Sequence, residues 1–104
     1  MQFDKQRALE MLREIGEFDW VQTGDLVTFA HDLGASSTVE VRDVALEIAR
    51  TAVNLGIATL GTIKNRQFVP DPRTPDEVLH EARERWPLDR ILEPGELFWL
   101  DLVA

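Results

Sequence analysis

The stretch Ala30-His31-Asp32-Leu33-Gly34-Ala35-Ser36-Ser37-Thr38-Val39-Glu40 decides how this chain folds. On its N-terminal side, Leu26 to Leu33 reads as a helix opened by Thr23 or Asp25 and closed by Gly34. On its C-terminal side, Ser37-Thr38-Val39-Glu40 has the form of a capping box. The Ser37 hydroxyl accepts from a free backbone N–H, and Glu40 reaches back to the cap. The helix that starts there is the longest in the chain. Its apolar stripe is Val41, Val44, Ala45, Ile48, Ala52 and Leu55, spaced by three and four, and Gly56 closes it.

Working outward, Asp4 can cap a first helix whose apolar residues Ala8, Leu9, Met11, Leu12 and Ile15 recur at helical spacing, with Gly16 at its end. Glu17-Phe18-Asp19-Trp20-Val21 alternates polar and apolar, which suits a short extended piece with two aromatic anchors. Beyond Gly56 the period changes. Ile57 to Ile63 and Gln67-Phe68-Val69 are rich in β-formers, and Lys64-Asn65-Arg66 between them predicts a hairpin with a basic tip. Thr74-Pro75-Asp76-Glu77 combines an N-cap, Pro at the first position and acids in the first turn. The helix it opens buries Val78, Leu79, Ala82 and Trp86, and Pro87 stops it. Leu88 to Leu92 reads as a short turn of helix, Glu93-Pro94-Gly95 as a turn, and Glu96 to Val103 as a final strand.

The order helix, short strand, helix, helix, hairpin resembles the winged helix-turn-helix group of folds over about residues 3–69. Ala30 to Val39 is similar to the turn between its two central helices, although one residue shorter. Ala52-Val53-Asn54-Leu55-Gly56-Ile57 is similar to the exit from a recognition helix into the wing. The expected fold is therefore α+β and a single domain over 1–104. It has a winged-helix-like core at 3–69 and a C-terminal helix-plus-strand extension at 70–104. The resemblance implies that the third helix enters the major groove and the hairpin touches the backbone. Arg42, Arg50, Lys64 and Arg66 would then be the nucleic-acid contacts.

The charge points elsewhere. The 104 residues carry 19 acidic and 11 basic side chains, a net −8. Such a field repels nucleic acid and anionic membranes and favours basic partners. Ile48 to Pro70 alone lacks acidic residues and holds Arg50, Lys64 and Arg66. Yet the long helix sets Glu40, Asp43 and Glu47 opposite its apolar stripe, on the face meant to approach phosphate. Affinity for DNA comes chiefly from neutralising phosphates, so these carboxylates oppose it. They are better read as exposed groups facing a protein partner. The dense run Leu97-Phe98-Trp99-Leu100 belongs mainly to the core, but Trp99 could also meet another chain, and a last strand at a sheet edge could pair with one directly.

Little catalytic chemistry is encoded. With no Cys and no Tyr, thiolate catalysis and sulfur-based zinc sites are excluded. The glycines never cluster into a phosphate-binding loop, and Ser36 and Ser37 serve as helix caps rather than sitting in a nucleophile elbow. Glu77, His80 and Glu84 share one helical face, but a di-iron bundle needs the Glu-x-x-His unit twice. His31 reads as a surface group near a helix end. No catalytic residue, metal or cofactor is expected, and no enzyme. No apolar run approaches the roughly 18 residues of a membrane helix, so a soluble cytoplasmic protein without a membrane partner is expected. The leading reading is a non-catalytic protein-interaction module that binds a protein partner or a second copy of itself. A DNA-binding transcriptional regulator and an acidic immunity- or antitoxin-type inhibitor of a basic protein are the alternatives.

Overall fold

A computed structural model describes residues 1–103; Ala104, the end of the expected extension, lies outside the described residues. The chain runs α1 (Lys5–Gly16), β1 (Val21–Gln22), α2 (Thr23–Asp32), α3 (Thr38–Asn54), β2 (Ala58–Lys64), β3 (Gln67–Pro70), α4 (Pro75–Arg85) and β4 (Trp99–Leu102). The result is an α+β fold with an antiparallel four-stranded sheet in the order β1-β4-β2-β3.

Local chemistry fixes the helix ends. Asp4 accepts from the Arg7 N–H and caps α1. Ser37 Oγ accepts from the Glu40 N–H at 3.1 Å, while Glu40 Oε1 accepts from the Ser36 and Ser37 N–H groups at 3.3 Å each. The capping box therefore closes as its spacing predicts. Gly34 (φ 103°) and Gly56 (φ 73°) end α2 and α3 in the left-handed conformation. In each case the next N–H reaches back to the helix, Ala35 to the Ala30 carbonyl and Ile57 to the Ala52 carbonyl, both at 3.0 Å. These are Schellman ends. Gly16 works differently: a Cβ there would lie 2.5 Å from the Leu102 side chain, so the glycine lets β4 pass close to α1.

The strand β4 is internal. Leu100 pairs with Val21 on one side and Leu60 on the other, so the last strand joins β1 to the hairpin rather than lying at an edge. Leu100 is fully buried and Phe98 nearly so, facing the core, while Trp99 shares the opposite face of the sheet with Gly61. The sheet's edges are β1, two residues long, and β3. The Asp71 N–H donates to the Leu60 carbonyl, which fixes the hydrogen-bonding phase of the ladder and turns the Phe68 and Pro70 nitrogens outward. Proline has no donor there, which blunts that edge against strand addition.

Four expectations need correction. Phe18 is not a core anchor but 84% exposed, because the Phe18 and Asp19 N–H groups both donate to the Ile15 carbonyl and the chain turns instead of extending. Leu55 leaves the apolar stripe of α3 and is 61% exposed at the helix exit. Leu88 to Leu92 forms no turn of helix. The final strand begins at Trp99 rather than Glu96, because Leu97 takes φ 77° while the Phe98 N–H donates to the Glu96 carbonyl. That three-residue γ-turn is a strained conformation. It is held from α2: Thr23 Oγ1, buried, lies 2.7 Å from the Glu96 carbonyl and 3.0 Å from that of Phe98. Beside it, Gln22 Oε1 accepts from the Gly95 N–H at 2.8 Å.

All four helices and the sheet share one core, in which Leu12, Leu26, Ile48, Leu79 and Leu100 are sealed from solvent. The helix α3 lies at its centre, in contact with α1, α2, α4 and β2. No helix is long and apolar enough to cross a membrane.

Candidate functional site

Two regions concern function: the outer face of α3, and an apolar groove beside α2. The α3 face is set by which of its residues are buried. Val41, Val44, Ala45, Ile48 and Ala52 face the core as the stripe requires, but Leu46 and Ala49 are buried as well. Those two lie off the stripe, and α4 accounts for the Leu46 side, where Leu79 and Arg83 flank it. The helix α3 is thus covered on a second side besides its core-facing stripe.

The charged groups of α3 follow from this packing. Glu40 is held by the cap, and the N–H groups of Ser37 and Ser36 together with the Ser36 hydroxyl keep its carboxyl below the usual carboxylate range. Asp43 accepts from Arg83 on α4 at 2.6 Å and from Arg42 at 3.0 Å. Glu47 sits 3.9 Å from Lys5 on α1 and 4.0 Å from Arg50. Arg50 donates to Asp76 at the start of α4. The three carboxylates expected to meet a partner are thus half-exposed and bound into contacts within the chain.

The four cations of the nucleic-acid reading divide in two. Arg42 retains 13% side-chain exposure and Arg50 40%, both paired. Lys64 and Arg66 are exposed at the hairpin tip, without an ion-pair partner among the described residues. Asn65 (φ 51°) and Arg66 (φ 62°) make the two-residue turn. The second place favours glycine, so an arginine there costs about 1 kcal/mol. Trp99 is half-buried on the outer sheet face, where a Cβ at Gly95 would meet its ring at 3.1 Å.

The second region was not legible as a site in the sequence. A groove of about 480 Å³ opens between α2, the start of α3 and the irregular segment after α4. Val27, His31, Val41, Trp86, Leu88 and Ile91 line it. Trp86 is buried at its base, whereas Leu88 is 47% and Ile91 90% exposed at its rim. Its signal in the sequence is the apolar triplet Leu88, Ile91 and Leu92 between Pro87 and Pro94, in a stretch too short for a helix to bury them. The segment is tied down by Arg90, whose guanidinium meets both Glu96 oxygens at 2.8 and 2.5 Å. This pair and the Glu93 N–H lower the Glu96 carboxyl to about 2.

His80 lies 3.5 Å from Glu84 on the exposed side of α4. Among the described residues no three His, Asp or Glu side chains converge where they could hold a metal ion. Compared with protein-family models, curated proteins and solved structures, the chain finds no significant match.

Proposed function

We propose that this chain is a non-catalytic protein-interaction module built on a winged-helix-like core. The element order α1-β1-α2-α3-β2-β3 supports the core. One observation carries the functional reading: α4 packs along α3 and draws Asp43, Arg50 and Arg83 into ion pairs. In a DNA-reading winged helix that helix must enter the major groove with free cations. Here two of its candidate contacts, Arg42 and Arg50, are engaged within the chain, and the net charge of −8 opposes phosphate. Binding to a protein needs neither a free recognition helix nor a positive field. A basic partner is favoured, since complementary charge speeds association; an inhibitor of a basic protein belongs to the same class.

A second reading, DNA-binding regulator, is favoured by one feature. The hairpin tip keeps Arg66 in a backbone conformation suited to glycine, alongside Lys64. The test is titration of the chain into random-sequence duplex DNA at low salt, where electrostatic attraction is strongest. The interaction module predicts no binding. Binding that weakens steeply as salt rises, and that falls in K64A/R66A, would put the regulator first.

A further inference from the structure

The groove beside α2 is adjoined in sequence by residues of one sign. Asp32 follows its lining residue His31, Asp89 lies between Leu88 and Arg90, and Glu93 follows Leu92. All three carboxylates are exposed, and none has an ion-pair partner among the described residues. Arg90, the one cation of the lining, is matched by both oxygens of Glu96. Exposed carboxylates without ion-pair partners therefore stand next in sequence to the apolar lining.

We infer that this groove docks a basic amphipathic segment of a partner protein, its apolar side chains against Val27, Trp86 and Ile91 and its Lys or Arg residues toward Asp32, Asp89 and Glu93. The inference rests on the protein-interaction reading and names its site and the partner's chemistry. A segment lying along the groove would cover Leu88 and Ile91 together, the two lining side chains that stand exposed. Charge opposes two copies meeting groove to groove, because each would bring the same carboxylates to the other. It equally opposes nucleic acid.

The probe is a synthetic helical peptide with Leu on one face and Lys on the other, alongside the same peptide with Glu for Lys. Each is titrated into the isotope-labelled full chain and followed by amide chemical shifts. The expected result is shifts confined to α2, the start of α3 and residues 86–93, with the Lys peptide only, weakening as salt rises. I91D, a change at a 90% exposed position that leaves folding intact, should lower the affinity about tenfold or more. Lys-peptide shifts elsewhere on the surface would overturn the groove while leaving the interaction reading standing. Shifts with neither peptide, or equal shifts with both, would also overturn it. Groove shifts that grow with protein concentration and need no peptide would assign the groove to a second copy instead.

Discussion

Arg83 on α4 holds its guanidinium 2.6 Å from the carboxylate of Asp43 on α3, forty residues earlier in the chain. The contact belongs to the packing of α4 on α3, where Leu46 and Leu79 are both buried. It marks the difference between a helix open to a partner and one built into the core. Exposed ion pairs contribute about 0.2–1 kcal/mol, whereas a buried leucine contributes several times that.

The two contributions can be separated. Leu79 is 1% exposed, so L79A should cost about 2–5 kcal/mol in urea unfolding. R83A should cost less than about 1 kcal/mol. Equal losses in the two variants would mean that charge rather than burial seats α4.

The strained turn at Leu97 depends on Thr23. Replacing the hydroxyl by a methyl in T23V leaves the buried Phe98 carbonyl short of a donor, at about 1–3 kcal/mol. Amide exchange should then speed up around Gly95 to Trp99 before it does so in α3. T23S, which keeps the hydroxyl, should restore most of the protection.

Two glycines should respond in opposite directions to alanine. At Gly61 a Cβ would lie 2.3 Å from the Val69 carbonyl and 2.6 Å from the Phe68 ring, across the β2–β3 ladder. Backbone must move, and G61A should destabilise by about 1–3 kcal/mol. At Gly24, inside α2, a Cβ meets nothing within 4 Å. G24A should be neutral or raise stability by about 0.4–1 kcal/mol, because the unfolded chain loses freedom. Thermal unfolding of the pair checks both signs.

Acid should act through the depressed carboxyls. Glu96 falls to about 2 in the fold against 4.5 ordinarily, with Arg90 the main cause, and Glu40, Asp71 and Glu81 are lowered as well. A depressed folded value means that the unfolded chain takes up protons first. Their contribution is present above about pH 4.5 and is lost as the pH falls toward about 2. E96Q should flatten the slope of stability against pH in that window and leave the slope above pH 5 unchanged. An unchanged slope below pH 4.5 would show that the Arg90 pair does not form.

The elements legible in the sequence are those that local chemistry determines. Ser37 and Glu40, Thr74 with Pro75, and the glycines after α2 and α3 each fix a helix end through atoms within a few residues. The place of β4 between β1 and β2 was not legible, because strand order depends on partners dozens of residues away and a short apolar run fits either an edge or a centre. The outward turn of Phe18 escaped for a related reason: alternation of polar and apolar residues does not show a helical turn running past Gly16. The covering of α3 did leave a trace. Leu46 and Ala49 lie off the main stripe, and apolar residues on a second side of a helix signal a second neighbour. Of the groove only the apolar triplet Leu88, Ile91 and Leu92 left a trace, because its walls come from α2, α3 and the segment after α4, which only the folded chain brings together.

The claim that the candidate cations of α3 are engaged within the chain, Arg50 by Asp76 of α4 and Arg42 by Asp43, is tested most directly by reaction of the folded chain with an arginine-specific dicarbonyl, read residue by residue by mass spectrometry. Arg66 at the hairpin tip should react fastest, Arg50 more slowly, and Arg42, with 13% of its side chain exposed, slowest of the three. Arg42 and Arg50 reacting as fast as Arg66 would contradict their engagement within the chain and reopen that helix as a surface for DNA.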